Sequence, residues 1–168
     1  MKHLIAIFSV IAIVTVSLLV SSCSDGEWVK TYWDNGNLKE KYQVVRNDWG
    51  NKVKNGKFMS WYENGKQECI EYYKNGGLHG KQIWWNENGI KESEEEFVND
   101  QRNGKSINWH ENGKKWCEYN YLNDKEHGLC ASWHENGKKA SEIEYEHGKR
   151  HGSAVVWWDN GKKEEEEE

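Results

Sequence analysis

Histidine has the widest chemical repertoire of any side chain in this chain, and its placement is regular. His79, His127 and His151 each stand directly before a glycine, while His110 and His134 each stand three residues before one. Clustered imidazoles would suggest zinc, whose nitrogen ligands lie about 2.0–2.1 Å from the metal. Here, however, equivalent histidines are whole structural units apart. Two strands per unit separate them by about 10 Å, so neither a metal centre nor a cofactor is expected. His147 and His151 flank one turn and can meet, yet both occupy repeated positions. Cys69 and Cys117 share one position two units apart, too far for a disulfide, which needs Cα atoms within about 7 Å. Cys130 sits at an odd offset and is expected to face away from Cys117. Carboxylates recur in every unit, and no Ser, Cys or His sits in a distinctive local motif. The expectation is therefore no catalytic residue and no enzyme.

The regularity comes from a repeat. WHENGKK is spelled at residues 109–115 and again at 133–139. The glycine of each x-Asn-Gly turn marks a unit: Gly36, Gly65, Gly89, Gly113, Gly137 and Gly161. The last five are 24 residues apart, and Asn47–Asn51 is the expected insertion in the longer first gap. Asn precedes every marker, an acid lies two before it, and an aromatic four before: Tyr32, Trp61, Trp85, Trp109, Trp133 and Trp157. From Gly65 onward a further glycine stands nine residues before each marker. Apolar residues fall on even offsets from the marker and charged ones mostly on odd offsets, the period of a β-strand. A three-residue Glu-Asn-Gly loop brings offset −4 opposite +2, with glycine in the left-handed conformation. The expected fold is all-β: an elongated, single-layer antiparallel meander of stacked hairpins, each touching only its neighbours. With no second layer, the tryptophan row is expected to pack on itself.

Tyr145-Glu146-His147-Gly148-Lys149-Arg150-His151-Gly152 resembles the core of a MORN repeat, with weaker copies at 73–80 and 121–128. The added Asn-Gly-Lys turn resembles the variant MORN repeats of bacterial proteins. Asp100 and Asp124 replace the turn glycine of that pattern. The resemblance spans about residues 31–168 and implies the same hairpin array. It also implies a binding role, since some members of the family are described as antitoxin or immunity proteins.

The N-terminus has a separate logic. A short basic start precedes an apolar run from Leu4 to Val20, then Ser21-Ser22-Cys23. This is the layout of a signal peptide. Val20–Cys23 resembles the lipobox of bacterial lipoproteins, which implies cleavage before Cys23 and acylation of its sulfur. Two or three acyl chains hold a protein stably on a membrane. The expected organisation is a signal peptide over 1–22, a lipidated tether over 23–30 and the repeat domain over 31–168. The expected location is the cell envelope, anchored by lipid. Outer membrane or cell surface is favoured, or the plasma membrane in a Gram-positive cell.

The 168 residues carry a net charge of −5 and no basic face, which argues against nucleic acid. Eleven tryptophans in a chain poor in other large apolar residues leave aromatics for recognition as well as for burial. Trp33, Tyr62, Tyr72, Trp84, Trp116 and Trp158 lie at odd offsets. Parity places them opposite the tryptophan row, as a binding face. The expected partner is an unknown protein, with a cell-surface glycan or cell-wall polymer as the alternative.

Overall fold

The computed structural model describes residues 26–167, with side chains as far as Glu164. The expected signal peptide and Cys23 lie outside the described residues. Each marker glycine closes the turn expected of it. The N–H at offset −3 donates to the carbonyl at +1, as from His110 to Lys114 at 2.8 Å, and the glycine N–H donates back to the carbonyl at −3. The six marker glycines have φ between 78° and 87°, a conformation that side chains with a Cβ resist. The expected insertion, Asn47–Asn51, is a further copy of this turn: Asn47 N–H donates to the Asn51 carbonyl and Gly50 has φ 80°.

The other edge of the array uses tighter turns: Asn75-Gly76, Asn99-Asp100, Asn123-Asp124 and His147-Gly148, with φ positive at both residues. That is the type I′ geometry whose twist matches the flanking strands. Asp100 and Asp124 replace glycine there for a reason the structure supplies. Asp100 Oδ1 accepts from the Leu78 N–H at 2.7 Å, and Asp124 Oδ1 accepts from the Arg102 N–H at 2.9 Å. Each carboxylate ties its turn to the preceding unit.

Between turns run β1 (Glu27–Tyr32), β2 (Leu38–Arg46), β3 (Lys52–Trp61), β4 (Gln67–Lys74), β5 (Gly77–Leu78), β6 (Gly80–Trp85) and β7 (Lys91–Val98). They continue as β8 (Gln101–Trp109), β9 (Lys115–Leu122), β10 (Lys125–Glu126), β11 (Gly128–Trp133), β12 (Lys139–Glu146), β13 (Lys149–Trp157) and β14 (Lys163–Glu167). All belong to one antiparallel sheet in meander order, with β5 and β10 as short pieces beside β4 and β9. The first strand takes in Glu27–Lys30, which the sequence suggested as tether; Val29 pairs Tyr42.

One feature of the register overturns the parity argument. Trp61 stands opposite Gln67, but the next residue back, Ser60, stands opposite Cys69 rather than Glu68. The same shift recurs at Trp85, Trp109, Trp133 and Trp157. One bulged residue at offset +3 therefore moves every later side chain of the return strand to the other face. Cys69 and Cys117 face away from the tryptophans of their own hairpins. Cys130 shares the face of Cys117, because Ser132 opposes Cys117 and Cys130 lies two residues along from Ser132. Among the described residues, Val44, Phe58, Ser60, Cys69, Gln82, Ser106, Cys117 and Cys130 are the buried ones, and the register puts them all on this thiol face. The core is thus small and partly polar.

The other face carries the tryptophans of offset −4, and they do not stack on one another. Among the described residues, no ring contact joins two indoles. Lysine ammonium groups alternate with the rings instead: Lys91 Nζ lies 4.7 Å from the Trp109 ring, Lys115 4.9 Å from Trp133 and Lys139 5.6 Å from Trp157. Each of these lysines also pairs with the glutamate three residues on, Glu94, Glu118 or Glu142. Lys81 and Lys105 reach Glu94 and Glu118 from the facing strand. These two double pairs hold the Glu94 and Glu118 carboxyls below the usual range, against the burial that opposes ionisation.

Candidate functional site

The marker turns line up along one edge of the sheet and are fastened to each other. At four turns the side chain at offset −3 bonds the carbonyl of the next unit's recurring aromatic position. Trp33 Nε1 donates to the Trp61 carbonyl at 2.9 Å and the Tyr62 hydroxyl donates to the Trp85 carbonyl at 2.7 Å. His110 Nε2 meets the Trp133 carbonyl at 2.9 Å, and His134 Nε2 meets the Trp157 carbonyl at 2.8 Å. A carbonyl only accepts, so both Nε2 atoms carry the proton. The turn asparagines add a second rung, as from Asn112 Nδ2 to the Glu135 carbonyl at 2.8 Å. Lys66, Lys114 and Lys138 add a third, to the carbonyls of Asn88, Asn136 and Asn160. The recurring histidines at −3 are fasteners. Among the described residues, no three His, Cys, Asp or Glu side chains gather to hold a metal.

The six predicted binding aromatics do not share a face. Trp33 and Tyr62 have their polar atoms committed to the ladder and are half-buried. Tyr72 opposes Lys57 and therefore lies on the tryptophan face. Trp84 opposes Cys69 and Ser93 on the thiol face. Trp116 and Trp158 lie at the turn edge, each 53% exposed. The bulge again accounts for the scatter, because it breaks the link between odd offset and a single face.

Two of the six, Trp116 and Tyr62, line clefts. Between the fourth and fifth marker turns, Trp109, His110, Glu111, Asn112, Trp116 and Glu135 line an open depression of about 550 Å³. The His110 and Trp116 rings are 6.1 Å apart and tilted by 43°. His110 is held by the ladder, so it presents a fixed flank to Trp116. A comparable depression of about 370 Å³ lies between the second and third turns, lined by Tyr62, Glu63, Asn64 and Glu87. Both combine aromatic surface with the exposed acids at offset −2. Their chemistry suits a partner with apolar and basic groups. Sequence spacing could not place Trp116 beside His110, since the two lie on opposite sides of the turn.

The thiols are inert by position. Burial pushes the Cys69 thiol up to about 11, against a hydrogen bond shared with Ser60 that acts the other way. Burial also raises Cys117 and Cys130. Thiolate is the reactive form. At pH 8 a shift of this size leaves Cys69 with about 100-fold less thiolate than an ordinary cysteine. Ellman's reagent at pH 8 is expected to label Cys69, Cys117 and Cys130 only on the timescale of unfolding, and promptly in denaturant. Rapid labelling of Cys69 in the folded protein would contradict its placement. The sign of the pH effect also follows: the unfolded chain releases this proton first, so Cys69 lowers stability as pH rises from about 9 towards 11.

A family model described as a MORN repeat variant matches residues 29–45, 54–75, 78–99, 102–123 and 126–147. No curated protein matches the chain.

Proposed function

The chain belongs to the MORN repeat variant family, and from that membership we propose that its hairpin array is a non-catalytic docking surface for a protein partner, held at the cell envelope by lipid on Cys23. The observation that carries the reading is the cleft around Trp116 and His110. An exposed indole beside a fixed imidazole, rimmed by Glu111 and Glu135, has the make-up of an interface anchor. Buried tryptophans dominate binding energy at such interfaces, where truncation costs about 2 kcal/mol or more. The anchor rests on the N-terminal sequence alone: basic start, apolar run and Val20–Cys23. Neutralisation of a toxin, as an immunity protein, is one version of this role.

Crosslinked pull-down with the acylated protein tests it. A protein partner captured by the wild type should be lost, or weakened at least 30-fold, with Trp116→Ala, while Trp28→Ala, an exposed indole remote from the cleft, leaves capture intact. Soluble oligosaccharides that quench tryptophan fluorescence and displace the captured material would transfer the role to a glycan. Equal capture by wild type and Trp116→Ala would remove the cleft from the proposal.

A further inference from the structure

Across the thiol face the register builds one continuous row of side chains. Tyr42 opposes Phe58, Phe58 opposes Glu71, Gln82 opposes Glu95, Glu95 opposes Ser106, and Ser106 opposes Tyr119. The row resumes as Cys130, Ile143 and Ala154. Glu71 and Gln82 become neighbours because β4 and β6 pair Cys69 with Trp84 and Ile70 with Ile83. The row is apolar at both ends and acceptor-rich in the middle, where Glu71, Gln82 and Glu95 are consecutive. Glu71 and Glu95 flank Gln82 from opposite sides, with Cα atoms about 10 Å apart at ordinary strand spacing.

Three observations leave this cluster incomplete. Gln82 is 2% exposed, and its Oε1 is buried without a hydrogen-bond partner. Its Nε2 is fixed on the carbonyls of Tyr72 at 3.2 Å and Gly80 at 3.3 Å, so the amide cannot be turned round to supply a donor. The half-buried Glu71 and Glu95 form no ion pair among the described residues. The Lys54 ammonium lies instead over the rings of Phe58 at 3.7 Å and Tyr73 at 4.8 Å. Buried acceptors and partly buried carboxylates without a counter-charge are costly unless paired or coordinating a cation. The carboxylates are also oriented from behind. The Tyr73 hydroxyl donates to Glu71 Oε2 at 2.7 Å, and Ser106 Oγ donates to Glu95 Oε1 at 3.1 Å. Each bond engages one carboxylate oxygen, the role that outer hydrogen bonds play around metal ligands.

We infer that Glu71, Gln82 and Glu95 form a binding site for a hard divalent cation, of which calcium fits best. The ligands are all oxygens, and they come from three different strands at irregular angles. Calcium accepts six to eight oxygens in flexible geometry at about 2.3–2.6 Å, whereas magnesium demands a near-ideal octahedron. Three side chains leave the remaining positions to water. The site therefore belongs in the weak range of extracellular calcium modules, with Kd about 0.1–1 mM. Zinc, which favours nitrogen and sulfur, suits this donor set less well.

Isothermal titration of the full chain with CaCl2, and separately with MgCl2, tests the site. A saturable one-to-one calcium isotherm in that range is expected, with magnesium weaker. Glu71→Gln and Glu95→Gln should each weaken calcium at least tenfold, while Asp48→Asn, at an exposed turn, leaves it unchanged. Circular dichroism confirms that the isosteric variants are folded. Absence of a saturable isotherm in the wild-type protein overturns the inference and assigns Gln82 Oε1 to water. An isotherm that survives both Glu71→Gln and Glu95→Gln overturns it equally. If only one of the two variants is folded, its affinity decides.

Discussion

Gly104→Ala is expected to destabilise the array by about 2–3 kcal/mol, more than the same change at any marker glycine. Gly104 has φ 121°, far from the left-handed well that an L-residue can reach with modest strain. It stands in a bulge: Glu95 opposes Ser106 and Phe97 opposes Arg102, so three residues of β8 face Glu96 alone. The Glu96 side chain lies across the vacant side of Gly104. A Cβ there would overlap Glu96 Oε2 and stand 3.0 Å from Glu96 Cβ. The carboxylate can swing away, but its Cβ cannot, so the backbone must move. Gly113 is the control. Its φ is 78° and a Cβ would meet nothing within 4 Å, so Gly113→Ala carries only the left-handed penalty of about 1 kcal/mol. Urea unfolding of the two variants separates the effects. Equal destabilisation would mean that conformation alone, and not the close approach of Glu96, requires glycine at position 104.

That glycine and the marker glycine were both visible in the sequence, for different reasons. The marker turn is local. Five residues contain its hydrogen bonds, so the Asn-Gly signal suffices to predict them; Asn47–Asn51 closes the same turn with Trp49 before its glycine, so there the signal is absent and only an insertion is legible. The meander follows, because two kinds of short turn alternate along the chain. The faces were not legible. They depend on the count of residues between turn and strand, and a single bulge at offset +3 reverses that count without any special residue to announce it: Glu68, Glu92 and Trp116 occupy it in successive units. Small residues paired across the hairpin were the available clue. Ser60 with Cys69, Asn108 with Cys117 and Ser132 with Ser141 meet at offsets −5 and +4, which strict parity would have set on opposite faces. The calcium-type cluster was hidden for the same reason. Glu71 and Glu95 sit at even offsets and Gln82 at an odd one, so parity separated what the bulge brings together.

The tryptophans were expected to support one another directly, and the lysine-spaced arrangement changes what losing one should do. Trp133→Ala is expected to cost about 2–3 kcal/mol: the half-buried indole surface is removed, and with it the seat for Lys115 Nζ. The Trp133 carbonyl survives the substitution, so its bond from His110 Nε2 persists and the turn ladder is not cut. Damage should then remain between neighbours. Stability in a linear array is a sum of unit and interface terms, and the ladder is itself uneven. Turns four, five and six are joined by His110, His134, Asn112 and Asn136. Among the described residues, no side-chain rung joins turn three to turn four, where Asn86 instead accepts from its own turn at Asn88 and Ile90. That gap should act as the limit of spread. Hydrogen exchange in Trp133→Ala is expected to quicken across β9, β11 and β12 while β2, β3 and β4 keep wild-type protection. Uniform loss of protection along the whole sheet would show that the units unfold as one body, with the tryptophan face coupling them more strongly than pairwise lysine contacts allow.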